Sequence, residues 1–352
     1  MSFAPDLMRG KGLKAPIRTE GFADVESGVV ARLLADGSRV IVQFGDESTY
    51  ATGDFTQLNA LARQYGTLLE VRFYGHCSTE FNASVLRNLP DVKSLSLDGF
   101  WWVTGLENLF CMEGIESLKV GIFELSLPDL LDRLACRQLR ELSVGGTRNS
   151  EIDLACLPEF ANLETFSTVG QVKNLQKLTG LKRLKKLWLG SIPHKVGLGF
   201  LSELGALVDM TLFLGSRESI EEIAPPALCR IEIVRVRGLR NLGNLARFKA
   251  LETLCIEDQA QITAIDVGGN LGLRNLRLNN CKALGRIEGV PSLPQLESMW
   301  ISRSQCEYDE FVSAGLPVNL RNMTFFTGRK SVDAKIAEDI RQRGLQEAAW
   351  IL

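Results

Sequence analysis

Residues 270–303 read NLGLRNLRLNNCKALGRIEGVPSLPQLESMWISR. An L-x-x-L-x-L core begins at Leu273, and the same spacing of apolar residues returns 23 residues later at Leu296. Between the two cores, apolar side chains recur at every third position, at Ile287, Val290 and Leu293. A unit of this kind has an apolar edge that it cannot bury alone, so neighbouring units must stack. The stretch therefore predicts a repeat protein.

The same core can be counted along most of the chain at intervals of 21 to 24 residues. The cores begin at Leu68, Val92, Ile115, Leu139, Leu163, Leu184, Leu207, Leu228, Leu251, Leu273, Leu296 and Leu320. The fourth and sixth core positions are apolar almost everywhere, as at Leu95 and Leu97. This pattern predicts one short parallel strand per unit, with 3₁₀ or short helical turns on the back.

Over residues 68–327 the sequence resembles the leucine-rich repeat superfamily. Its short units are most similar to the 22-residue class typified by the nuclear regulator of protein phosphatase 1, most clearly over residues 172–189 and 236–256. The resemblance implies an α/β solenoid, a leucine-rich repeat horseshoe of about 12 units with a parallel β-sheet on its concave face. The Asn that usually follows the strand in this family is mostly absent here, which suggests irregular units of a bacterial type.

Four segments are predicted from these patterns. They are a flexible arm over residues 1–20, an N-terminal β-hairpin and helix cap over 21–67, the solenoid over 68–328 and a C-terminal helical cap over 329–352. In the N-terminal cap, Asp36-Gly37 separates two apolar runs within residues 29–44, which is a hairpin signal. We expect Asp54 to cap a helix that ends before Gly66, and Ser331 to cap the last helix, which ends before Gly344.

The composition gives no bulk electrostatic reason to expect a nucleic acid or an anionic membrane as the main partner. The chain has 352 residues, 45% hydrophobic and 23% charged, with a net charge of -2. No apolar run is long enough to predict a membrane span, and the basic residues near the N-terminus are not followed by the apolar run of a secretory signal. We therefore expect a cytoplasmic protein.

Catalytic and metal-binding patterns are weak in this sequence. None of the eight cysteines forms a C-x-x-C pair, and the chain has only two histidines. No phosphate-binding loop, zinc-binding H-E-x-x-H or nucleophile-elbow motif occurs. We therefore expect no enzyme, no cofactor and no metal, with reduced cysteines as small apolar side chains. His76 and Cys77 are the residues to test for an enzyme, although adjacent side chains point in different directions.

The candidate binding site follows from the repeat register. Because side chains alternate along a strand, the third, fifth and seventh core positions should face the concave side. Aromatic and charged residues are concentrated there in the second half of the chain, and Trp and Arg are the types that dominate protein–protein hot spots. The predicted protein-binding residues are Trp188, Asp209, Phe213, Arg230, Glu232, Glu257, Asn275, Arg277, Asn279 and Trp300.

The sequence leaves alternatives open about the partner. The first prediction is a non-catalytic module that binds one partner protein on its concave face, as an adaptor or regulatory subunit. An immunity protein that occludes a cognate toxin or effector is an alternative, because a long curved sheet can cover an active site; a host-directed effector is another. Nucleic-acid binding through the basic runs 171–190 and 230–249 is less favoured than a solvated back face.

Overall fold

The computed structural model describes residues 15–45, 50–51, 53–75, 80–148 and 150–348. The chain divides into two compact units, Met1–Arg183 and Leu184–Ile351, and each contains seven parallel strands of the main sheet within its described residues. This division into two units does not by itself test the bounds of the four predicted segments.

The first unit begins with a compact N-terminal module of short elements. Its strands and helices are β1 (Ile17–Glu20), α1 (Ala23–Glu26), α2 (Val29–Ala35), β2 (Val40–Phe44) and α3 (Thr56–Tyr65). β1 and β2 pair in parallel, and β2 pairs in parallel with the first repeat strand. Aromatic rings of Phe22, Phe44 and Phe55 pack together beneath them, with centroids 4.9 to 5.9 Å apart.

The predicted hairpin over residues 29–44 is wrong, because the first of its two runs is the helix α2. Val30 and Leu34 lie four residues apart on one helical face and are buried, and this helical spacing outweighed the β-propensity of the run. Gly37 has a φ of 76° and follows the end of the helix. The Gly37 N–H donates to the Leu34 carbonyl, and the Ser38 N–H donates to the Leu33 carbonyl. These two hydrogen bonds form a Schellman motif. Asp36-Gly37 therefore ends a helix instead of turning a hairpin.

The predicted flexible arm is also wrong for its described part. Residues 1–14 lie outside the described residues, but Ile17–Glu20 forms β1 with Thr19 buried. Pairing with β1 gives the edge of β2 its hydrogen bonds, which explains why these residues are ordered. The α3 prediction is confirmed: the Asp54 carboxylate accepts from the Thr56 N–H at 2.9 Å, and the helix ends at Gly66.

The repeats of the first unit add five strands to the main sheet and a small second sheet. In chain order the elements are β3 (Leu69–Tyr74), β4 (Glu80–Asn82), β5 (Ser94–Phe100), β6 (Trp102–Thr104), α4 (Glu107–Phe110), β7 (Ser117–Ile122), α5 (Leu130–Arg133), β8 (Glu141–Val144) and β9 (Thr165–Val169). The main-sheet order is β1-β2-β3-β5-β7-β8-β9, and β4 pairs with β6.

The second unit repeats this arrangement. Its elements are β10 (Lys186–Gly190), β11 (Asp209–Phe213), β12 (Arg230–Val234), β13 (Thr253–Glu257), β14 (Ala264–Asp266), β15 (Asn275–Asn279), β16 (Arg286–Glu288), β17 (Ser298–Ser302), α6 (Tyr308–Ser313), β18 (Asn322–Phe326) and α7 (Lys330–Gln342). The main-sheet order is β10-β11-β12-β13-β15-β17-β18, and β14 pairs with β16. Short 3₁₀ turns such as Leu245–Arg247 lie between several strands, as predicted.

The core follows the predicted register. Each of the twelve predicted cores contains a main-sheet strand, from β3 to β18. The fourth and sixth positions are buried, as at Leu276 and Leu278, and paired strands align them, with Leu254 opposite Leu276. In the described part of the chain, no helix combines the length and apolar character needed to cross a membrane.

The last strand is covered by α7, whose Ile336 and Ile340 are buried. A Schellman motif with Gly344 ends the helix, as predicted. The predicted cap at Ser331 is wrong, because the helix already begins at Lys330. The carboxylate of Asp333 reaches back instead and accepts from the Thr327 and Gly328 N–H groups at 2.7 and 3.1 Å. Residues 349–352 of the apolar tail lie outside the described residues.

Candidate functional site

The third, fifth and seventh core positions of the second unit form one face of its sheet, which we call the odd-position face. Each position forms a column across the strands, because the parallel pairs are in register. The fifth-position column consists of Trp188, Thr211, Glu232, Cys255, Arg277, Trp300 and Thr324. All ten predicted binding residues lie on this face, in one of the three columns.

The central column is far more buried than the sequence analysis expected. Trp188, Glu232 and Arg277 are only 6%, 5% and 8% exposed. Neighbouring strands in a sheet lie about 4.8 Å apart, so large side chains in one column cover each other and are flanked by the columns on both sides. The expectation that these three side chains are exposed is corrected, and Trp188 packs against its neighbours.

The two flanking columns carry the accessible part of the face. Asp209, Arg230 and Asn275 in the third column are half-buried, as are Phe213, Glu257 and Asn279 in the seventh. Trp300 is half-buried as well, unlike Trp188 in the same column. A partner could therefore reach the margins of the face and the Trp300 ring more readily than its centre.

Charged side chains on this face are bound to each other. The Arg230 guanidinium lies 2.9 Å from the Glu232 carboxylate and 3.7 Å from that of Asp209. Burial nevertheless raises the pKa of Asp209, and burial together with the adjacent Asp258 raises the pKa of Glu257. The ion pairs of Arg230 thus connect two neighbouring acidic side chains on this face.

Two aromatic side chains are held in defined positions. The Trp300 Nε1–H donates to Ser302 Oγ at 3.0 Å, and the Ser302 hydroxyl donates to Asn279 Oδ1 at 2.6 Å. The Phe213 ring lies over Gly190, where a Cβ would collide with it. The lack of a side chain at Gly190 therefore makes room for the Phe213 ring. Sequence reasoning found both rings but not the contacts that hold them.

The basic runs are largely committed to partners within the protein. Several of their side chains form ion pairs: Lys173 with Asp153, Arg183 with Glu164, Arg230 with Glu232 and Arg235 with Asp258. Arg247 donates to the backbone carbonyls of Ile220, Ile223 and Leu242. Charges that are already paired offer less attraction to phosphates, so these contacts do not favour nucleic-acid binding through the two runs.

No arrangement for metal binding or nucleophilic chemistry is evident among the described residues. None of their His, Cys, Asp and Glu side chains form a group of three or more that could hold a metal ion. The described cysteines are all free thiols, and burial raises the pKa of Cys255, at the centre of the face, to about 12. A thiol with so high a pKa is a poor nucleophile at neutral pH. His76 and Cys77 lie outside the described residues.

A second polar network lies on the corresponding face of the first unit, and sequence reasoning missed it. Arg72 lies 2.6 Å from Asp98, and Lys119 lies 2.9 Å from Glu70, around a cavity of about 30 Å³. The signal was present, because these residues occupy third, fifth and seventh core positions of successive units. In this register, Asp98 lies one strand from Arg72, and Glu70 lies two strands from Lys119.

No protein-family model and no curated protein matches the chain. Several solved structures are similar to it. An internalin (InlF) from Listeria monocytogenes has 14% identity and a TM-score of 0.45 over 81% of this chain and 78% of its own. The functional domain of InlJ from the same organism, which includes a cysteine ladder, has 13% identity and a TM-score of 0.46 over 75% of this chain; the match covers only 62% of its own. A leucine-rich repeat protein from Leptospira interrogans has 15% identity and a TM-score of 0.43, and the match covers 91% of this chain and 98% of its own.

These likenesses are distant, and the fold is evident from the chain itself. Parallel strands recur with the predicted spacing, their fourth and sixth positions are buried, and short turns connect them. Solenoids of this kind present extended surfaces that repeat proteins use for binding. The periodic parallel strands and turns show that the chain has the fold of a leucine-rich repeat solenoid.

Proposed function

We propose that this protein is a non-catalytic binding module whose odd-position face in the second unit binds one partner protein. The observation that carries the proposal is Trp300, a half-buried ring fixed by Ser302 and Asn279. An aromatic side chain that is already immobilised loses little conformational entropy on binding, so more of its contact energy appears as affinity. Trp is also among the residue types most enriched in hot spots.

The accessible margins of the face complement this anchor. Asp209, Arg230, Asn275, Glu257 and Asn279 offer charges of both signs and amide groups around the aromatic side chains of Phe213 and Trp300. Accessible aromatic side chains among polar groups are common in protein–protein interfaces, where Trp and Phe are enriched. Mixed charge supports a partner with its own mixed polar surface better than it supports the uniformly negative backbone of a nucleic acid.

The central residues take a supporting role in this proposal. Trp188, Glu232 and Arg277 lie in the central column between the two margins, and all three are buried. Their substitution would disturb folding as well as binding. The residues for a direct test are therefore Trp300 and Phe213, which are half-buried and lie at the accessible part of the face.

The test compares variants of the full chain as bait. Proteins captured by the wild type are identified by mass spectrometry, and the leading candidate is purified for calorimetry against each variant. We expect Trp300→Ala and Phe213→Ala to weaken binding by more than about 1 kcal/mol each while the fold is kept. The controls are Leu271→Ala and Val318→Ala, which truncate apolar side chains that are 59% and 87% exposed but lie outside the face.

Two outcomes would contradict the proposal. A partner that binds both face variants with wild-type affinity does not use this face. If Leu271→Ala or Val318→Ala weakens binding as much as the face variants do, the partner binds another surface. The narrower prediction of an immunity protein is tested with the same partner: its enzymatic or toxic activity should fall when the wild type is added and return with Trp300→Ala.

A further inference from the structure

A groove of about 240 Å³ lies among the segments that connect the strands of the second unit. Its walls are the 3₁₀ turn Val290–Ser292 and the helix α6. Two earlier connecting segments of this unit contain 3₁₀ turns, at Gly199–Glu203 and Leu245–Arg247, whereas α6 is a short α-helix. An α-helix is wider than a 3₁₀ turn, so the two do not stack flush and a groove opens between them.

The floor of the groove is apolar. Val290 is buried, Ile287 and Phe311 are half-buried, and Pro291 and Ala314 are exposed at its sides. The groove therefore offers apolar surface that water can reach, and burying such surface is favourable.

The rim of the groove is acidic. Glu288, Glu307 and Glu310 line it and are exposed, whereas Arg286 is the one basic side chain among the lining residues. Three carboxylates and one guanidinium give the lining a net charge of -2, since -3 + 1 = -2. Arg286 lies 3.8 Å from Glu288, so it offsets part of the charge of that residue. The rim thus attracts cationic groups.

The size of the groove decides between classes of ligand. Small-molecule sites typically enclose about 300–1,000 Å³, which is more than this groove offers. One large side chain fits it better than a whole metabolite does. A peptide can place one such side chain in the groove while its neighbouring residues reach the rim.

We propose that this groove binds a basic peptide segment of a partner protein, with one aliphatic or aromatic side chain on the apolar floor. Lysine or arginine residues on either side of that side chain meet Glu288, Glu307 and Glu310. The site is separate from the odd-position face, since its residues lie in the connecting segments, and it does not depend on the function proposed for that face.

The test uses fluorescein-labelled peptides and the full chain. The probes are acetyl-Lys-Lys-Leu-Lys-Lys-amide, the same peptide with Gly in place of Leu, and the same peptide with Glu in place of every Lys, each measured by fluorescence anisotropy. We expect the Leu peptide to bind at least about tenfold more tightly than the Gly peptide, and the Glu peptide not to bind. Ala314→Trp should fill the groove and weaken the Leu peptide about tenfold, because Ala314 is exposed and tolerates a larger side chain.

A matched pair of charge substitutions checks the rim. Glu310→Gln should weaken the Leu peptide several-fold, whereas Glu338→Gln, on the exposed side of α7, should leave its affinity unchanged. Equal affinity for the Leu and Gly peptides, unchanged affinity in Ala314→Trp, or no binding at millimolar peptide would each overturn the proposal. A concentration-dependent dimer that Ala314→Trp abolishes would also overturn it, because the occupant would then be a second copy of the chain.

Discussion

At the scale of single residues, Gln171 shows how this chain replaces the Asn that normally follows the strand in leucine-rich repeats. Its Oε1 accepts from the Ile152 N–H at 2.7 Å, and its Nε2 donates to the Gly145 carbonyl at 3.0 Å. The side chain is buried, so these backbone groups cannot form hydrogen bonds with water instead. In this unit, Gln171 therefore holds the turn at the position where leucine-rich repeats usually have Asn.

Gln171→Ala should lower the free energy of unfolding by about 1–3 kcal/mol, because it leaves a buried N–H and a buried carbonyl without this partner. Urea denaturation followed by circular dichroism measures the change. Gln176→Ala is the control, since Gln176 is exposed and its loss should change stability by less than about 0.5 kcal/mol. Equal effects of the two substitutions would show that Gln171 does not hold the turn.

At the scale of elements, the strands of the second unit end alike. The residue after each of its first six main-sheet strands has a positive φ of 51 to 57°, at Ser191, Leu214, Arg235, Asp258, Asn280 and Arg303. The left-handed conformation costs a non-glycine residue about 1–2 kcal/mol. The N–H of each donates to the carbonyl at the end of the next strand, as Arg235 does to Glu257 at 3.1 Å. These hydrogen bonds and the packing of the core hold the turns.

A second regularity lies at the beginning of the strands. The second core position alternates in charge, as Lys93, Glu116, Arg140 and Glu164 in the first unit and as Glu252, Arg274, Glu297 and Arg321 in the second. Backbone hydrogen bonds stack these residues directly, and Arg274 lies 2.6 Å from Glu297. Opposite charges on neighbouring strands favour this pairing of units. If a unit instead paired with the unit after its neighbour, residues of like charge would lie together.

A double-mutant cycle on Arg274→Ala and Glu297→Ala tests the charge alternation. Because both side chains are more than 40% exposed, we expect a coupling energy of only about 0.2–1 kcal/mol that shrinks in high salt. The comparison cycle uses Arg286 and Glu288, which lie 3.8 Å apart and are more exposed, and should give a coupling near zero. A larger coupling in the comparison pair would contradict a role for the alternation.

At the scale of the whole molecule, each unit is a stack whose stability depends on contacts between neighbours and on covered ends. At the C-terminal end, α7 packs on β18, and the Tyr308 hydroxyl donates to the Asp339 carboxylate of the helix at 2.6 Å. Gln346 continues the pattern by pairing with Asn322 of β18. Without this cover, β18 would present an open strand edge and an apolar face to water.

Ile336→Asp should loosen the C-terminal cap, because it places a charge at a buried position against the last strand. We expect a loss of several kcal/mol in the free energy of unfolding and concentration-dependent aggregation, measured by light scattering after size-exclusion chromatography. Lys335→Asp is the control, since Lys335 is exposed on the same helix and its change should leave the protein monodisperse. Aggregation of neither variant would show that α7 does not protect the strand edge.

The sequence by itself determined the repeat register, because an apolar pattern at fixed spacing can be buried in only one way. It thereby placed the strands, the buried positions such as Leu276, and the columns that contain the candidate site. It failed at Val29–Ala35, where a run of apolar residues suits either a strand or a helix and only its packing selects α2. It also could not distinguish Trp188 from Trp300, which share a column and a residue type but differ in exposure.

Only the tertiary structure decided what covers each side chain, because exposure depends on neighbours that are distant in sequence. It placed Trp188 and Arg277 within the face, left Trp300 accessible and fixed by Ser302, and opened the acidic groove beside α6. The stretch from 270 to 303 contains both kinds of information. Its leucines determined the fold through their spacing, whereas the accessibility of Trp300 depended on how the strands around it pack.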